Sequence, residues 1–177
     1  MKRAYIITGA ESTGSVFISK CISTSMGFYS WTGYGFYEPS DDIKFLHRSQ
    51  PRGSPLQYSD YTELSKIFSG YDCKYIICTR DISFSNLSKN KRFKRTDPQL
   101  QHNQNTCKSI ISDIVKSGEE YFIWNYETMV YLGDVYFDLL YDFLEIDNNN
   151  RKYPEVINGN KIKNAKDIKY FGYKFGE

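Results

Sequence analysis

The chain has 177 residues, of which 40% are hydrophobic and 25% are charged, so we expect one globular domain over residues 1–177. The formal net charge of +2 argues against a dedicated nucleic-acid-binding protein. No apolar run approaches the roughly 20 residues of a membrane span, and no signal peptide opens the chain. The four cysteines have no metal-ligand spacing, so no metal site is expected. These features together predict a cytoplasmic protein.

The most informative segment is YIITGAESTGS, at residues 5–15. A strand predicted at residues 4–8 leads into a glycine-rich turn, and a helix is predicted from about residue 14 to 26. The glycines of such a turn let the backbone approach a ligand, and the free N–H groups of the first helical turn hold an anion. The spacing Gly9-x4-Gly14 resembles a P-loop. Ser15 stands in the Lys slot, however, and Val16 replaces the hydroxyl that binds Mg²⁺. The turn is therefore predicted to bind nucleotide phosphates without working like an ATPase.

The rest of the chain alternates short apolar runs with helical patterns. Residues 28–39 are aromatic and glycine-rich and predict a loop that could form the wall of a pocket. Further strands are predicted at residues 43–46, 74–79 and 121–125, helices at 60–69, 83–90, 98–117 and 134–144, and a loop-rich tail at 148–177. This alternation favours an α/β fold with a central parallel sheet and helices on both faces.

Two further predicted strand ends carry polar residues, and ligands bind at the carboxyl ends of strands in such sheets. His47 and Arg48 follow the second predicted strand, and Arg80 follows the third. Ser88 lies eight residues after Arg80, on the helix that follows it. A guanidinium and a hydroxyl in this arrangement could bind a second phosphate. The structural alternative is a salt bridge between Arg80 and Asp81 or another acid.

These segments together resemble the sulfotransferase family, whose donor is 3′-phosphoadenosine-5′-phosphosulfate. GAESTGS is similar to the 5′-phosphosulfate loop of small bacterial and viral members, GPESSGT. Arg80 with Ser88 resembles the 3′-phosphate motif of the family. Four other segments are similar to family motifs in the same order: HRSQPRG, FIWNYETM, FDLLYDFLEID and NGNKIKN. The resemblance covers roughly residues 5–163 and implies a three-layer, P-loop-like fold.

The resemblance implies in-line attack by an acceptor hydroxyl or amine on the sulfur, without Mg²⁺. Loop amides would stabilise the charge that grows on the leaving phosphate oxygen. Many members carry Lys or Arg in the slot that Ser12 fills, so Arg48, Arg52 or Lys161 would have to supply a cation. The implied donor-binding residues are Gly9, Ala10, Glu11, Ser12, Thr13, Gly14, Ser15, Arg80, Ser88 and Lys161, and the implied catalytic residues are His47, Ser12 and Arg48.

The general base has several candidates. His47 is preferred because an imidazole of near-neutral pKa suits proton removal, although it could equally bind backbone or substrate. Glu11 could be a base or accept a backbone N–H, His102 is expected at the surface, and Glu127 is expected to be structural. Residues 89–95 contain five positive charges in seven positions, which form either a solvated face or a surface for an anionic acceptor or the 3′-phosphate.

Two other functions compete with sulfuryl transfer. A small P-loop nucleotide kinase would need a Lys in the loop and an Mg²⁺-binding Asp, for which Asp81 is a poor candidate. A catalytically inactive nucleotide-binding or interaction module is suggested by Ser12 in the cation slot. The acceptor is open among small-molecule alcohols, sugars, lipid head groups and protein tyrosines, and the sequence does not indicate an oligomeric state.

Overall fold

The computed structural model describes residues 2–28, 32–53 and 55–155. The strands are β1 (Arg3–Ala10), β2 (Gly35–Ser40), β3 (Ile43–Gln50), β4 (Asp72–Thr79) and β5 (Glu120–Asn125). The helices are α1 (Ser15–Ser25), α2 (Tyr61–Ile67), α3 (Ile82–Phe93), α4 (Asp97–Lys116), α5 (Tyr126–Leu132) and α6 (Asp134–Phe143), and a 3-10 turn follows at Asn148–Asn150. None of the helices in these ranges has the length and apolar character needed to cross a membrane.

The strands form one five-stranded sheet in the order β2-β3-β1-β4-β5. Strands β3, β1, β4 and β5 are parallel, which confirms the α/β class. Strand β2 runs antiparallel to β3, so the sheet is mostly parallel but mixed, and the expectation of a loop is wrong for residues 35–39. Pro39 lies within β2 and is tolerated there because β2 is an edge strand.

Helices cover both faces of this sheet, because side chains alternate between the two faces of a strand. Tyr5 and Ile7 of β1 belong to a core cluster with α1, α5 and α6. Ala4 and Ile6 belong to a second cluster with α2 and α4. The neighbouring parallel strands β1, β3 and β4 therefore end at one edge, between two layers of helices.

Local signals in the sequence account for most helix boundaries. Asp60 was expected to cap α2, and its Oδ1 accepts the backbone N–H of Glu63 at 2.7 Å. Helix α4 is capped one residue before the expected Asp97, at Thr96, whose N–H donates to Oε1 of Gln99 at 3.0 Å. The seven-residue α5 was not predicted, because it begins directly after β5 without an intervening turn.

The start of the predicted tail packs on α6. Nη1 of Arg151 lies 3.2 Å from Oδ1 of Asp138, and the ring of Tyr153 lies 5.8 Å from that of Tyr141. This segment therefore contributes more contacts than a loop-rich tail was expected to make. Lys161, a predicted donor-binding residue, lies outside the described residues.

Candidate functional site

The glycine loop connects β1 to α1, and hydrogen bonds join it to β3 on one side and to α3 on the other. The backbone N–H of Glu11 donates to the carbonyl of Gln50 in β3 at 3.1 Å. On the other side, Oγ of Ser85 in α3 donates to the carbonyl of Glu11 at 3.0 Å. Within the loop, Oγ1 of Thr13 donates to the carbonyl of Ala10 at 2.8 Å. These bonds give residues 11–14 a defined conformation.

Two glycines are required by the backbone of this loop. A Cβ on Gly9 would lie 2.2 Å from the carbonyl oxygen of Cys78, so β1 and β4 approach closely only because this residue has no side chain. Gly14 has φ of +88° and directly precedes α1, with no side-chain cap on the helix. The N–H groups of the first turn of α1 are therefore free of a capping side chain, and such groups bind anions.

Arg80 lies against the same loop. Its Nη1 donates to the carbonyl of Ser12 at 3.2 Å, and its guanidinium lies 4.3 Å from the centre of the Tyr126 ring. Its Nε is 3.9 Å from Oε1 of Glu127, and the side chain is only 6% exposed. Arg80 therefore also lies near a carboxylate, as the salt-bridge alternative predicted. This carboxylate belongs to Glu127 rather than to Asp81, which instead caps α3.

Helix α3 presents three buried polar residues, Ser85, Ser88 and Lys89. Ser88 makes no side-chain hydrogen bond within the described residues and lies one turn after Ser85, whose hydroxyl binds the loop. The structure therefore places the helix that carries Ser88 beside the loop. Sequence reasoning missed Ser85, although its position three residues before Ser88 was a usable signal.

His47 lies within β3 rather than after it, because β3 continues to Gln50 in register with β1. The ring is 5% exposed, and Nε2 is 2.8 Å from Oγ of Ser15, the first residue of α1. Burial, assisted by the charge of Arg48, lowers the pKa of His47 to about 4. The expectation of a near-neutral pKa is therefore corrected, and the imidazole is uncharged at pH 7.

Two arginines follow His47 along the chain. Arg48 is half-buried in β3, and its Nε is buried without a hydrogen-bond partner within the described residues. Burial and the charge of Arg52 lower the pKa of Arg48. Nη2 of Arg52 lies 3.8 Å from Oε1 of Glu63. Arg52 therefore lies near a carboxylate, whereas the charge of Arg48 is less well compensated.

Glu11 is an ion-pair partner in this structure. Its side chain is 8% exposed, and Oε1 lies 3.1 Å from Nη2 of Arg95. Lys89, also within the basic run, is 1% exposed. The run is therefore not a uniformly solvated face, and sequence reasoning missed that Arg95 contacts the glycine loop and that Lys89 is buried.

Two other expectations concern residues beside the site. His102 is exposed on α4, as expected, with its ring 5.9 Å from that of Tyr58. Glu127 accepts the backbone N–H of Asp81 at 3.1 Å, which agrees with a structural role.

A cavity of about 430 Å³ lies at the opposite, amino end of the sheet. Its lining includes Tyr5, Phe28, Ile43, Leu144 and Lys152. Phe28, from the aromatic segment predicted to form the wall of a pocket, lines this cavity, but none of the predicted catalytic or donor-binding residues does. Charge and backbone geometry, rather than cavity volume, therefore identify the carboxyl edge as the candidate site.

The carboxyl edge combines a glycine loop, an uncapped helix start, several arginines and a neutral imidazole, an arrangement suited to binding a polyanion. Within the described ranges, no group of three or more His, Cys, Asp or Glu residues could hold a metal ion. Comparisons with protein-family models, with curated proteins and with solved structures give no match to this chain.

Proposed function

We propose that this chain is a sulfotransferase with a P-loop-like, three-layer fold that uses 3′-phosphoadenosine-5′-phosphosulfate as its donor. The observation that carries the proposal is the 3.2 Å hydrogen bond from Arg80 to the carbonyl of Ser12. It joins the glycine loop to the Arg80 strand end at one edge of the sheet, and we propose both as anion-binding elements. A donor with anionic groups at both its 3′ and 5′ positions needs two such elements side by side.

In this proposal the loop binds the 5′-phosphosulfate. The free N–H groups at the start of α1 would hold its oxygens and stabilise the charge that develops when the bond from sulfur to the phosphate oxygen breaks. The loop residues are Gly9, Ala10, Glu11, Ser12, Thr13, Gly14 and Ser15. Arg80 and the hydroxyl of Ser88 would bind the 3′-phosphate, and Lys161 remains a predicted contact outside the described residues.

The acceptor oxygen or nitrogen attacks the sulfur and gives up a proton as the new bond forms. His47 is the proposed base, since its neutral ring is ready to accept that proton. A pKa of about 4 makes it a weak base, so the acceptor proton must leave late, when the bond to sulfur is well advanced. Arg48, whose charge is only partly compensated, would neutralise the sulfuryl oxygens.

The two rival functions are weighed by the same contacts. A kinase is less well supported, because Oδ1 of Asp81 already accepts the backbone N–H groups of Ser83 and Phe84 and is a poor Mg²⁺ ligand. An inactive nucleotide-binding module is favoured by two observations. The loop lacks its own cation at Ser12, and Arg80 already lies near Glu127.

Calorimetry without metal tests the proposal directly. Adenosine 3′,5′-bisphosphate should bind in the presence of a chelator, and ATP with Mg²⁺ should bind much more weakly. Equal affinity for ATP, or a strict need for Mg²⁺, would point to the kinase. Binding of the bisphosphate without any turnover of the phosphosulfate donor, over a panel of alcohol, sugar, lipid and phenol acceptors, would favour the inactive module.

Arg80→Ala locates the 3′-phosphate. The substitution should weaken binding of the bisphosphate by about 1.5–3 kcal/mol, the range for a charge-assisted hydrogen bond. Adenosine 5′-phosphosulfate, which lacks the 3′-phosphate, should be affected little. The matched control is Arg92→Ala on exposed α3 surface. An equal loss for both ligands would show that Arg80 does not read the 3′-phosphate.

A further inference from the structure

Helix α3 places a lysine beneath the glycine loop. Ser85 and Lys89 are four residues apart, so their side chains lie on the same face of the helix. Ser85 donates to the carbonyl of Glu11 at 3.0 Å, which fixes that face against the loop. Lys89 continues the face by one turn and is 1% exposed. The lysine side chain as a whole is therefore almost fully buried.

The ammonium of Lys89 has no hydrogen bond or ion pair among the described residues. Burial lowers the pKa of Lys89, and the charge of Glu11 opposes that effect most strongly. Glu11 is shared, since its Oε1 pairs with Arg95 at 3.1 Å, while its Oε2 is buried without a partner in the described chain. One carboxylate thus faces two cations, and the region beneath the loop carries a net positive charge.

A buried ammonium without a partner costs stability, and a nonpolar side chain of similar length would avoid that cost. In surroundings of low polarity its charge also acts over several ångströms without direct contact. The loop itself has Ser12 and Ser15 where cations stand in the loops that it resembles, so it contributes no positive side-chain charge to an anion. The position of Lys89 fits that deficit.

We propose that Lys89 supplies, from beneath the loop, the positive charge that the loop lacks, and so strengthens binding of an anionic group at the 5′ position of the ligand. The inference deepens the proposed function and rests on it. Lys89 acts through its field on the loop and is a positioning residue, because it has no direct contact with the reacting atoms. Glu11 pairs with Arg95, and its charge acts on Lys89, so it is assigned as an anchor rather than a base.

The test compares Lys89→Met with Lys91→Met, which removes an exposed charge from the same helix. Three probes are titrated: adenosine 3′,5′-bisphosphate, adenosine 3′-phosphate and inorganic pyrophosphate. Lys89→Met should lower affinity for the bisphosphate and for pyrophosphate by about ten- to a hundred-fold, while binding of the 3′-phosphate is unchanged. Its melting temperature should not fall. Lys89→Arg should retain most of the affinity, and Lys91→Met should change little.

Each other outcome overturns a specific statement. Equal losses for all three probes, together with a lower melting temperature, would show a purely structural lysine. Unchanged affinity in Lys89→Met would remove Lys89 from the site while leaving the proposed function in place. A wild-type protein that binds pyrophosphate but neither nucleotide would overturn the proposed function alone, and one that binds none of the probes would overturn both.

Discussion

Two lysines are buried in the described part of the chain, and they lie at opposite ends of the sheet. Nζ of Lys74, at the amino end, donates to the carbonyl of Phe143 at 2.8 Å and lies 2.7 Å from Glu145 and 3.3 Å from Glu120. Burial alone would lower the pKa of Lys74, but its hydrogen bonds to these carboxylates raise it. Lys89, near the carboxyl end, has no such partners, and burial lowers its pKa.

The two ends of the sheet therefore differ in how fully their buried charges are compensated. At the amino end Arg3 also pairs with Glu145, at 2.7 Å, so the buried charge there is fully compensated. At the carboxyl end, Oγ of Ser12 and Nε of Arg48 are buried without hydrogen bonds among the described residues. Unsatisfied groups of one predominant sign lower stability and favour an anionic ligand, and such clusters mark functional sites. The cavity lies at the compensated end, so cavity volume and uncompensated charge point to different regions.

The largest effect should come from removing the carboxylate at the carboxyl end. Glu11→Gln leaves Arg95, with a side chain 16% exposed, without its ion-pair partner, and it removes the negative charge that acts on the buried Lys89. Breaking a buried pair in this way lowers the free energy of unfolding by about 3–5 kcal/mol. Glu145→Gln is the matched change at the amino end, where the carboxylate is 51% exposed, and it should cost about 1 kcal/mol or less.

Urea unfolding at neutral pH measures the free energy of unfolding of both variants. Each variant replaces one carboxylate by an amide of nearly the same shape. Equal losses in the two variants would remove the contrast between the ends of the sheet. A loss in Glu11→Gln that disappears in Glu11→Gln/Lys89→Met would show that the uncompensated lysine, and not the lost Arg95 pair, is responsible.

The next largest effect is a pH dependence of stability that should differ between a titratable group at the carboxyl end and one at the amino end of the sheet. The pKa of His47 falls from 6.5 in the unfolded chain to about 4 in the folded protein. Between these values the unfolded chain binds more protons, so stability falls as the pH is lowered from 6.5 to 4, by up to about 3 kcal/mol. The pKa of Glu145 is lowered by its hydrogen bonds to Lys74 and Arg3, so its contribution is lost only as the pH falls below about 4.5.

His47→Gln keeps a polar group near Ser15 but cannot titrate, so its unfolding free energy should be nearly flat between pH 6.5 and 4.5. His102→Gln, an exposed control, should keep the wild-type slope. Persistence of the slope in His47→Gln would assign it to another group and would return His47 to an ordinary pKa. NMR of the ring protons gives the same pKa independently.

Much of the fold follows from local signals in the sequence. Strands β1, β3, β4 and β5 and helices α1, α2, α3, α4 and α6 were expected, because apolar runs and helix caps mark them. Strand β2 was missed, since Gly35 and Pro39 are typical of turns and its pairing with β3 gives it structure. The depth of His47 was missed for the same kind of reason, because the pairing with β1 that extends β3 is a contact between distant parts of the chain.

The candidate site divides in the same way. The glycine loop and its closeness to Arg80 were predicted, because strand ends of a parallel sheet meet at one edge. The ion pair of Glu11 and Arg95 joins residues 84 positions apart, and no local sequence pattern predicts it. Lys89 was grouped with exposed neighbours because a run of charges is usually solvated. Only the packing of α3 on the loop distinguishes it.

The smallest expected effect comes from replacing each of the two buried lysines, Lys74 and Lys89, by methionine. Lys74→Met removes the donor to the carbonyl of Phe143, a backbone group that then lacks this partner, whereas Glu120 and Glu145 are more than half exposed and regain water. The expected cost is about 1–3 kcal/mol, the range for a buried group left without its hydrogen bond. Lys89→Met removes an ammonium that has no such bond among the described residues, so its unfolding free energy should equal or exceed that of wild type. Thermal and urea unfolding of the two variants measure the change in the free energy of unfolding for each. A stabilised Lys74→Met, or a Lys89→Met that loses as much as Lys74→Met, would mean that compensation by neighbouring groups does not distinguish the two ends.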